Sequence, residues 1–202
     1  ANQTGATNTA VGFTSLANNT ASDNTAFGGF ALAANTSGTR NVAVGLQALE
    51  ANTTANDNTA LGRQALQTNT TGENNTAIGK SSLTSNTTAN NNTAVGTSAL
   101  TANTTGADNT ACGSIALDAN TTGSTNDAFG RNALGKNTTG SNNVALGNNS
   151  LSNNLTADNN TAVGKSALTN TTGDSNVAVG KSALESCTTG AANTALGLNA
   201  GF

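Results

Sequence analysis

The acidic residues are the first candidates for chemistry, because carboxylates at regular spacing can bind calcium or act as acids and bases. Six of the ten acids lie one or two residues before an Asn that opens a recurring segment, Asn-Thr-Ala-φ-Gly or a close variant, where φ is mostly apolar. Calcium-binding β-rolls use a Gly-Gly-x-Gly-x-Asp nonapeptide, and that motif is missing here. We therefore expect these acids to form a solvated edge that limits lateral aggregation: Asp23, Asp57, Glu73, Asp108, Asp158 and Asp174.

Catalytic groups of the usual kinds are scarce in this chain. It contains no His, so the commonest general base and metal ligand are absent, and Lys and carboxylates are few. We expect no enzyme activity, no metal and no cofactor.

The two cysteines are interpreted separately. Cys112 occupies a φ position and is expected to be a small buried hydrophobe. Cys187 replaces an Asn of the pattern, where it could crosslink neighbouring chains or remain an inert thiol, the reading that we favour.

Thr pairs and Asn-x-Thr sequons recur with the same spacing. Thr53-Thr54 and Thr70-Thr71 are two of the pairs, and Asn52 and Asn69 are sequon asparagines. A flat Thr array could bind ice, although Thr is equally a good strand residue that pairs between neighbouring strands. The sequons are glycan acceptors in a eukaryotic secreted chain. A structural ladder of Asn at a turn explains the same period, and we favour it.

All these residues belong to one repeat of 17 residues, Asn-Thr-Ala-φ-Gly-x-x-Ala-Leu-x-x-Asn-Thr-Thr-Gly-x-x. Its first Asn occurs twelve times, from Asn8 to Asn193, and two of the spacings are 16 instead of 17. Leu at position 9 of all eleven complete repeats argues against disorder. A fixed period of this length predicts stacked units that contact only their neighbours. We predict an all-β parallel β-solenoid, or β-roll, of twelve coils that forms a single domain over residues 1–202.

Strand alternation predicts which residues fill the interior of each coil. Position 2 exchanges Thr for Val at Val42, Val144 and Val177, and position 4 is always apolar or Cys. Positions 2 and 4 are therefore expected to point inward, with Leu at position 9 closing the interior. The predicted core comprises Val11, Leu16, Val44, Leu49, Leu61, Leu66, Ile78, Leu83, Val95, Leu100, Cys112, Leu117, Phe129, Leu134, Leu146, Leu151, Val163, Leu168, Val179 and Leu184.

Position 3, between those two, is Ala in every copy. If it points outward, either a neighbouring chain packs closely over it or a tight corner excludes larger side chains. The first reading favours oligomerisation through a stripe formed by Ala10, Ala26, Ala43, Ala60, Ala77, Ala94, Ala111, Ala128, Ala145, Ala162, Ala178 and Ala195.

Charge and hydropathy restrict the partners. Only 8% of residues are charged and the formal net charge is −3, so we expect no nucleic-acid binding. The apolar runs are only a few residues long, so we expect no membrane insertion. Candidate end-to-end contacts are Phe13, Phe27 and Phe30 near one end of the rod and Phe202 at the other. They favour self-association as a head-to-tail filament; a trimer is the other form of self-association that we consider.

The segments Asn-Val-Ala-Val-Gly at 41–45 and 176–180 and Asn-Val-Ala-Leu-Gly at 143–147 resemble the Ser-Val-Ala-Ile-Gly core of trimeric autotransporter adhesin heads. The longer repeat, as at residues 58–72, resembles repeats of phage tail-fibre shafts and bacterial surface proteins. The resemblance implies a structural shaft or spacer in an extracellular fibre on a cell surface, filament or virion. The alternatives are an ice-binding solenoid and a receptor-binding segment of an adhesin or tail fibre. The adhesin period is shorter than 17 residues, so the resemblance carries neither handedness nor trimer packing.

Overall fold

The computed structural model describes residues 5–201, which form a parallel β-solenoid, as the repeat predicts. Twelve three-residue strands pair in sequence order into one parallel sheet, and the coils between them are about 17 residues long. Residues at the same repeat position are paired from coil to coil, for example Ala94 with Ala111. The strands, β1 to β12, are Thr9–Val11, Thr25–Phe27, Val42–Val44, Thr59–Leu61, Thr76–Ile78, Thr93–Val95, Thr110–Cys112, Asp127–Phe129, Val144–Leu146, Thr161–Val163, Val177–Val179 and Thr194–Leu196.

Each coil turns at positions whose backbone lies in the left-handed region. The Gly at position 5 follows the strand directly, and at Gly96 its φ is 136°. A Cβ built there would lie 2.6 Å from the carbonyl oxygen of Gly113 in the next coil, so both the conformation and the close approach require Gly. Non-glycine residues at positions 7, 9 and 17 also have positive φ, as at Ser98, Leu100 and Asp108. Contacts between coils must hold these conformations, which are unfavourable for L residues.

The interior is narrow and is lined by alanine, leucine and asparagine. In a complete coil such as residues 41–57, positions 1, 3, 8, 9, 12 and 15 are buried. The predicted Leu row lies in this interior: Leu16, Leu49, Leu66, Leu83, Leu100, Leu117, Leu134, Leu151 and Leu168 are fully buried, and Leu184 is 7% exposed.

The predicted inward direction of positions 2 and 4 is wrong. The strand presents its central residue, Ala, to the interior and its two outer residues to solvent. Leu61 is 46% exposed, whereas Ala60 beside it is fully buried. The Leu row and the Ala of position 8 fill the space opposite the strand, so only a methyl group fits under it. The φ residues that therefore lie outside the core, exposed or half-buried, are Val11, Val44, Leu61, Ile78, Val95, Cys112, Phe129, Leu146, Val163 and Val179.

The same geometry removes the predicted alanine stripe from the surface. Ala26, Ala43, Ala60, Ala77, Ala94, Ala111, Ala128, Ala145, Ala162 and Ala178 are fully buried inside their own chain, while Ala10 is exposed and Ala195 half-buried in the two terminal coils. Position 3 excludes larger side chains because it is the narrow side of the core. The ten buried alanines therefore contact their own chain and cannot pack against a neighbouring one.

Candidate functional site

The acids that could have formed a calcium edge instead accept hydrogen bonds from the neighbouring coil. Glu73 accepts from the Asn56 side-chain amide and Asp108 from that of Asn91, whereas Asp158 and Asp174 accept a backbone N–H. Asp158 Oδ1 accepts from Ser141 N at 2.7 Å, and Asp174 Oδ1 accepts from Asp158 N at 2.9 Å. Over residues 5–201 no group of three His, Cys, Asp or Glu side chains is placed to hold a metal ion. These acids therefore accept hydrogen bonds along a solvated coil edge.

Two ladders of buried asparagine run through the interior, one at position 1 and one at position 12. Asn103 Nδ2 donates to Asn86 Oδ1 at 3.0 Å and to the Gly106 carbonyl at 2.9 Å, and Asn103 Oδ1 accepts from Asn120 Nδ2 at 2.8 Å. At position 1, Asn109 donates both its backbone N–H and its Nδ2 to Asn92 Oδ1. The buried amides therefore supply one another with the hydrogen-bond partners that water supplies to exposed polar groups.

The position-12 ladder also bears on glycosylation. Asn52, Asn69 and Asn103, three of the sequon asparagines, are fully buried in the ladder. The folded coil therefore offers no side-chain nitrogen at these sites to a modifying enzyme. A structural ladder accounts for the periodic sequons.

The two Thr positions of each pair have different environments. The hydroxyl at position 13 donates to the carbonyl of position 13 in the next coil, as from Thr70 to Thr87 at 3.0 Å. The Thr at position 14 is exposed, as at Thr71 and Thr105. Only the outer row of the pair thus presents Thr side chains freely to solvent.

The cysteines are both free thiols. Cys112 is exposed on the outer side of β7, so its predicted burial is wrong for the same reason as for the other φ residues. Cys187 occupies a position of the Asn ladder and is half-buried. Its Sγ lies 3.9 Å from the Asn193 side-chain nitrogen and 3.8 Å from the Gly190 carbonyl oxygen.

A cavity of about 650 Å³ opens beside Cys187, lined among others by Leu184 and Ala195. These residues belong to the interior rows, so the cavity is the cross-section of the core at the last described coil. It brings no catalytic or metal-binding group together.

The aromatic residues predicted to make end-to-end contacts are exposed where the structure describes them. Phe13 is 73% exposed, Phe27 56% and Phe30 38%. The Phe13 and Phe30 rings pack edge to face with centroids 5.5 Å apart, so these two rings already contact each other within the chain. Phe202 lies outside the described residues.

A regular surface runs along the outer side of the sheet. It is here called the strand face and is defined as the side chains at positions 2 and 4 of β1–β12. Its position-4 row is apolar along the rod and includes Ile78 at 36% and Leu146 at 48% exposure. Its position-2 row is Thr in eight strands, Val in β3, β9 and β11, and Asp127 in β8. Sequence analysis missed this face because it assigned both rows to the interior.

The two borders of the strand face carry opposite charge. Five of the seven cations occupy position 6, directly after the Gly corner, and all five are exposed. They form the cation row, Arg63, Lys80, Arg131, Lys165 and Lys181. The six acids at the end of the repeat, directly before the strand, form the acid row, Asp23, Asp57, Glu73, Asp108, Asp158 and Asp174. The sequence alone already contains this separation, as a count of charged residues at each repeat position.

Ion pairing inside the described chain involves the acid row but not the cation row. Arg40 contacts Asp57 at 2.6 Å, the one ion pair within residues 5–201. A hydrogen bond from Arg40 lowers the pKa of the Asp57 carboxyl, and both side chains are exposed. The five cations of the cation row therefore have no carboxylate partner in their own described chain.

Comparison of the chain with protein-family models, with curated proteins and with solved structures gave no match. In the described part of the chain there is also no helix, and hence none that could cross a membrane.

Proposed function

We propose that this chain is a non-catalytic structural module, the shaft or spacer of an extracellular fibre on a cell surface, filament or virion. One observation carries the proposal: successive coils are nearly interchangeable, and their polar groups bond mainly to the coils on either side. Strand pairing keeps the same register across all eleven strand–strand interfaces. Such a stack gives the molecule length and stiffness, and the described coils form no distinct pocket along their sides.

Rod length follows directly from this arrangement. Parallel strands are spaced by about 4.8 Å, so β1 and β12 are about 53 Å apart. Further coils at either end, from the same or another chain, would extend the rod by the same increment. Extension through the coil edges is part of the proposal, whereas the buried alanines take no part in it.

The experiment is removal of whole coils. Deleting residues 92–125 removes two complete repeats and joins Asn91 to Asn126 in phase. We expect a folded rod shortened by about 10 Å, measured by small-angle scattering and electron microscopy. As a control, deletion of residues 92–117 removes a coil and a half and should disrupt the stack, because inward and outward positions no longer align.

Two results would contradict the proposal. One is unfolding of the in-phase deletion variant, since equivalent coils should be dispensable. The other comes from immunogold labelling of the source organism. An antibody against the rod should decorate fibres outside the cell, and labelling confined to the cell interior would exclude an extracellular shaft.

A second candidate is ice binding, favoured by the exposed Thr row at position 14, which includes Thr71 and Thr105 and continues without a break from the third coil to the ninth. An ice binder should show thermal hysteresis and shape ice crystals at micromolar concentration. Thr105→Lys would interrupt the row and should reduce that activity, whereas a plain shaft has none to lose.

A further inference from the structure

We propose that the strand face binds a second copy of this chain with the two rods parallel. The inference deepens the proposed structural role. It rests on that role in one respect: the unit that associates is the whole rod. Its evidence is the apolar surface of the strand face and the opposite charge of its two borders.

The strand face is large enough for a specific contact. It extends along about 53 Å of sheet, and with its two borders it is roughly 15 Å wide, so it covers about 800 Å². Stable protein interfaces bury about 800 Å² on each partner. The apolar part of this surface is the position-4 row, whereas the position-2 row is mostly Thr and the borders are charged. Phe27, Leu61, Ile78, Phe129 and Leu146 are each at least 36% exposed on it.

Charge then selects the relative direction of the two copies. When two strand faces meet with parallel rods, the twofold axis runs along the rods. Each cation row then lies opposite the acid row of the other copy. When the rods are antiparallel, the axis runs along the strands and like rows meet. Electrostatic complementarity of this kind fixes orientation and excludes the wrong arrangement more than it adds affinity.

The charges also agree in level along the rod. The acid before a strand and the cation after the same strand lie at one level: Asp57 and Arg63 flank β4, Glu73 and Lys80 flank β5, Asp158 and Lys165 flank β10, and Asp174 and Lys181 flank β11. With two copies in register, each pair would meet across the interface. The fifth cation, Arg131 after β8, lies one strand, about 4.8 Å, from the level of Asp108 before β7 on the facing copy. Long basic side chains can span that offset.

The antiparallel alternative places like charges opposite each other. If the two rods are centred on one another, β5 faces β8 and β2 faces β11. Lys80 after β5 would then lie opposite Arg131 after β8, and Asp23 before β2 would lie opposite Asp174 before β11. The cation row would gain no partner of opposite charge, and the acid row would gain only Arg40, which already contacts Asp57.

The first test compares two charge reversals in the same coil. Arg131→Glu reverses a cation of the cation row, and Lys136→Glu makes the same charge change at exposed position 11, away from the strand face. By sedimentation equilibrium we expect Arg131→Glu to weaken dimerisation by about threefold at low salt, because the symmetric contact occurs twice. Lys136→Glu should leave it unchanged. Equal effects of the two, or a parent protein that stays monomeric at 100 µM, would overturn the proposal.

A second test uses reversed rows. The cation-reversed variant replaces all five cations of the cation row by Glu, and we expect at least a tenfold loss of self-association. The acid-reversed variant carries Lys at Glu73, Asp108, Asp158 and Asp174, and mixing the two folded variants should restore dimers. If the acid-reversed variant fails to fold, the cation-reversed variant alone decides: self-association equal to the parent's would refute the role of the row.

Rod direction is measured with spin labels. In a variant with Cys112→Val and Cys187→Asn, a single label at Thr54→Cys lies on exposed position 14 of the third coil. Parallel rods place both labels at the same level, whereas centred antiparallel rods separate them by seven further coils, about 34 Å. The longer separation would refute the parallel dimer. A monomeric rod would contradict the proposed interface but not the proposed shaft function, because the deletion of whole coils tests that function separately.

Discussion

The tenth coil is one residue short, and its polar interior is incomplete. Thr171 occupies the buried position where the ladder has Asn in most other coils. Asn160 Nδ2, at position 1 of the same coil, is the one buried side-chain nitrogen or oxygen without a hydrogen-bond partner in the described chain. Its counterpart in the preceding coil, Asn143 Nδ2, donates to the Ala157 carbonyl at 2.9 Å. The stack therefore carries a local defect at this coil.

We expect a single inserted residue to repair this defect. Inserting Ala between Thr169 and Asn170 changes the local sequence to Leu-Thr-Ala-Asn-Thr-Thr-Gly, identical to residues 100–106. Asn170 then takes the ladder position, where it can donate to Asn154 Oδ1, and Asn160 Nδ2 regains a carbonyl acceptor. Satisfying a buried donor is worth about 1–3 kcal/mol and the added ladder bond about 1 kcal/mol. The insertion should stabilise the protein by about 2–4 kcal/mol.

The assay combines urea denaturation, followed by circular dichroism, with hydrogen exchange resolved by coil. Exchange is needed because a repeat stack can open locally. We expect slower exchange in the ninth to eleventh coils of the insertion variant and little change near β3. A matched control inserts Ala between Thr101 and Ala102 of a complete coil, which displaces Asn103 from the ladder and should destabilise. If both insertions destabilise equally, the assignment of the ladder as a stabilising element is wrong.

Three further substitutions test the remaining features. Gly96→Ala should cost at least about 2 kcal/mol in urea denaturation, because its Cβ would overlap the Gly113 backbone at positive φ; Gly29→Ala, with an ordinary φ and a nearest contact of 3.4 Å, should be tolerated. Partial burial raises the pKa of Asp118, so ionised Asp118 opposes folding as the pH rises through its folded-state pKa. Asp118→Asn should therefore stabilise at about pH 7, by no more than about 0.5 kcal/mol since the group is half-exposed, with no difference at pH 2.5, where Asp118 is protonated. Cys112 should react with Ellman's reagent in the native protein as fast as an exposed thiol, and protection from the reagent would contradict its place on the outer side of β7.

The period of the repeat was sufficient to predict the parallel stack and the Leu row, but not the direction of the strand side chains. A three-residue strand allows two assignments, with either its centre or its two outer residues inside. The exchange of Thr for Val at Val42 suggested an inner site, yet Val42 is 38% exposed. The deciding quantity is the width of the interior, because Leu49 and Ala48 leave room only for Ala43. Width is a property of the closed coil and cannot be read from one strand.

The polar interior was only partly foreseeable. Periodic Asn predicted a ladder at a turn, and the position-12 ladder exists. The burial of Asn at position 1, as at Asn92, follows from the left-handed residue before it, Asn91, which turns the chain into the strand. A backbone conformation of that kind occurs here at Asn, Asp, Ser, Thr, Ala and Arg, so it has no single sequence signature. The cation row, by contrast, needed only a count of charges at each repeat position.

The equivalence of the coils has a genetic consequence. Because one repeat corresponds to 17 codons and each coil meets its neighbours through nearly the same ladders, unequal recombination between repeats adds or removes whole coils without creating a new kind of internal contact. Each event changes the rod by about 4.8 Å. In a parallel pair, however, the cation and acid rows are unevenly distributed along the rod, so two alleles of different length would match their charges only up to the point of the insertion. Length could therefore vary freely between populations, while pairing would favour copies of the same length.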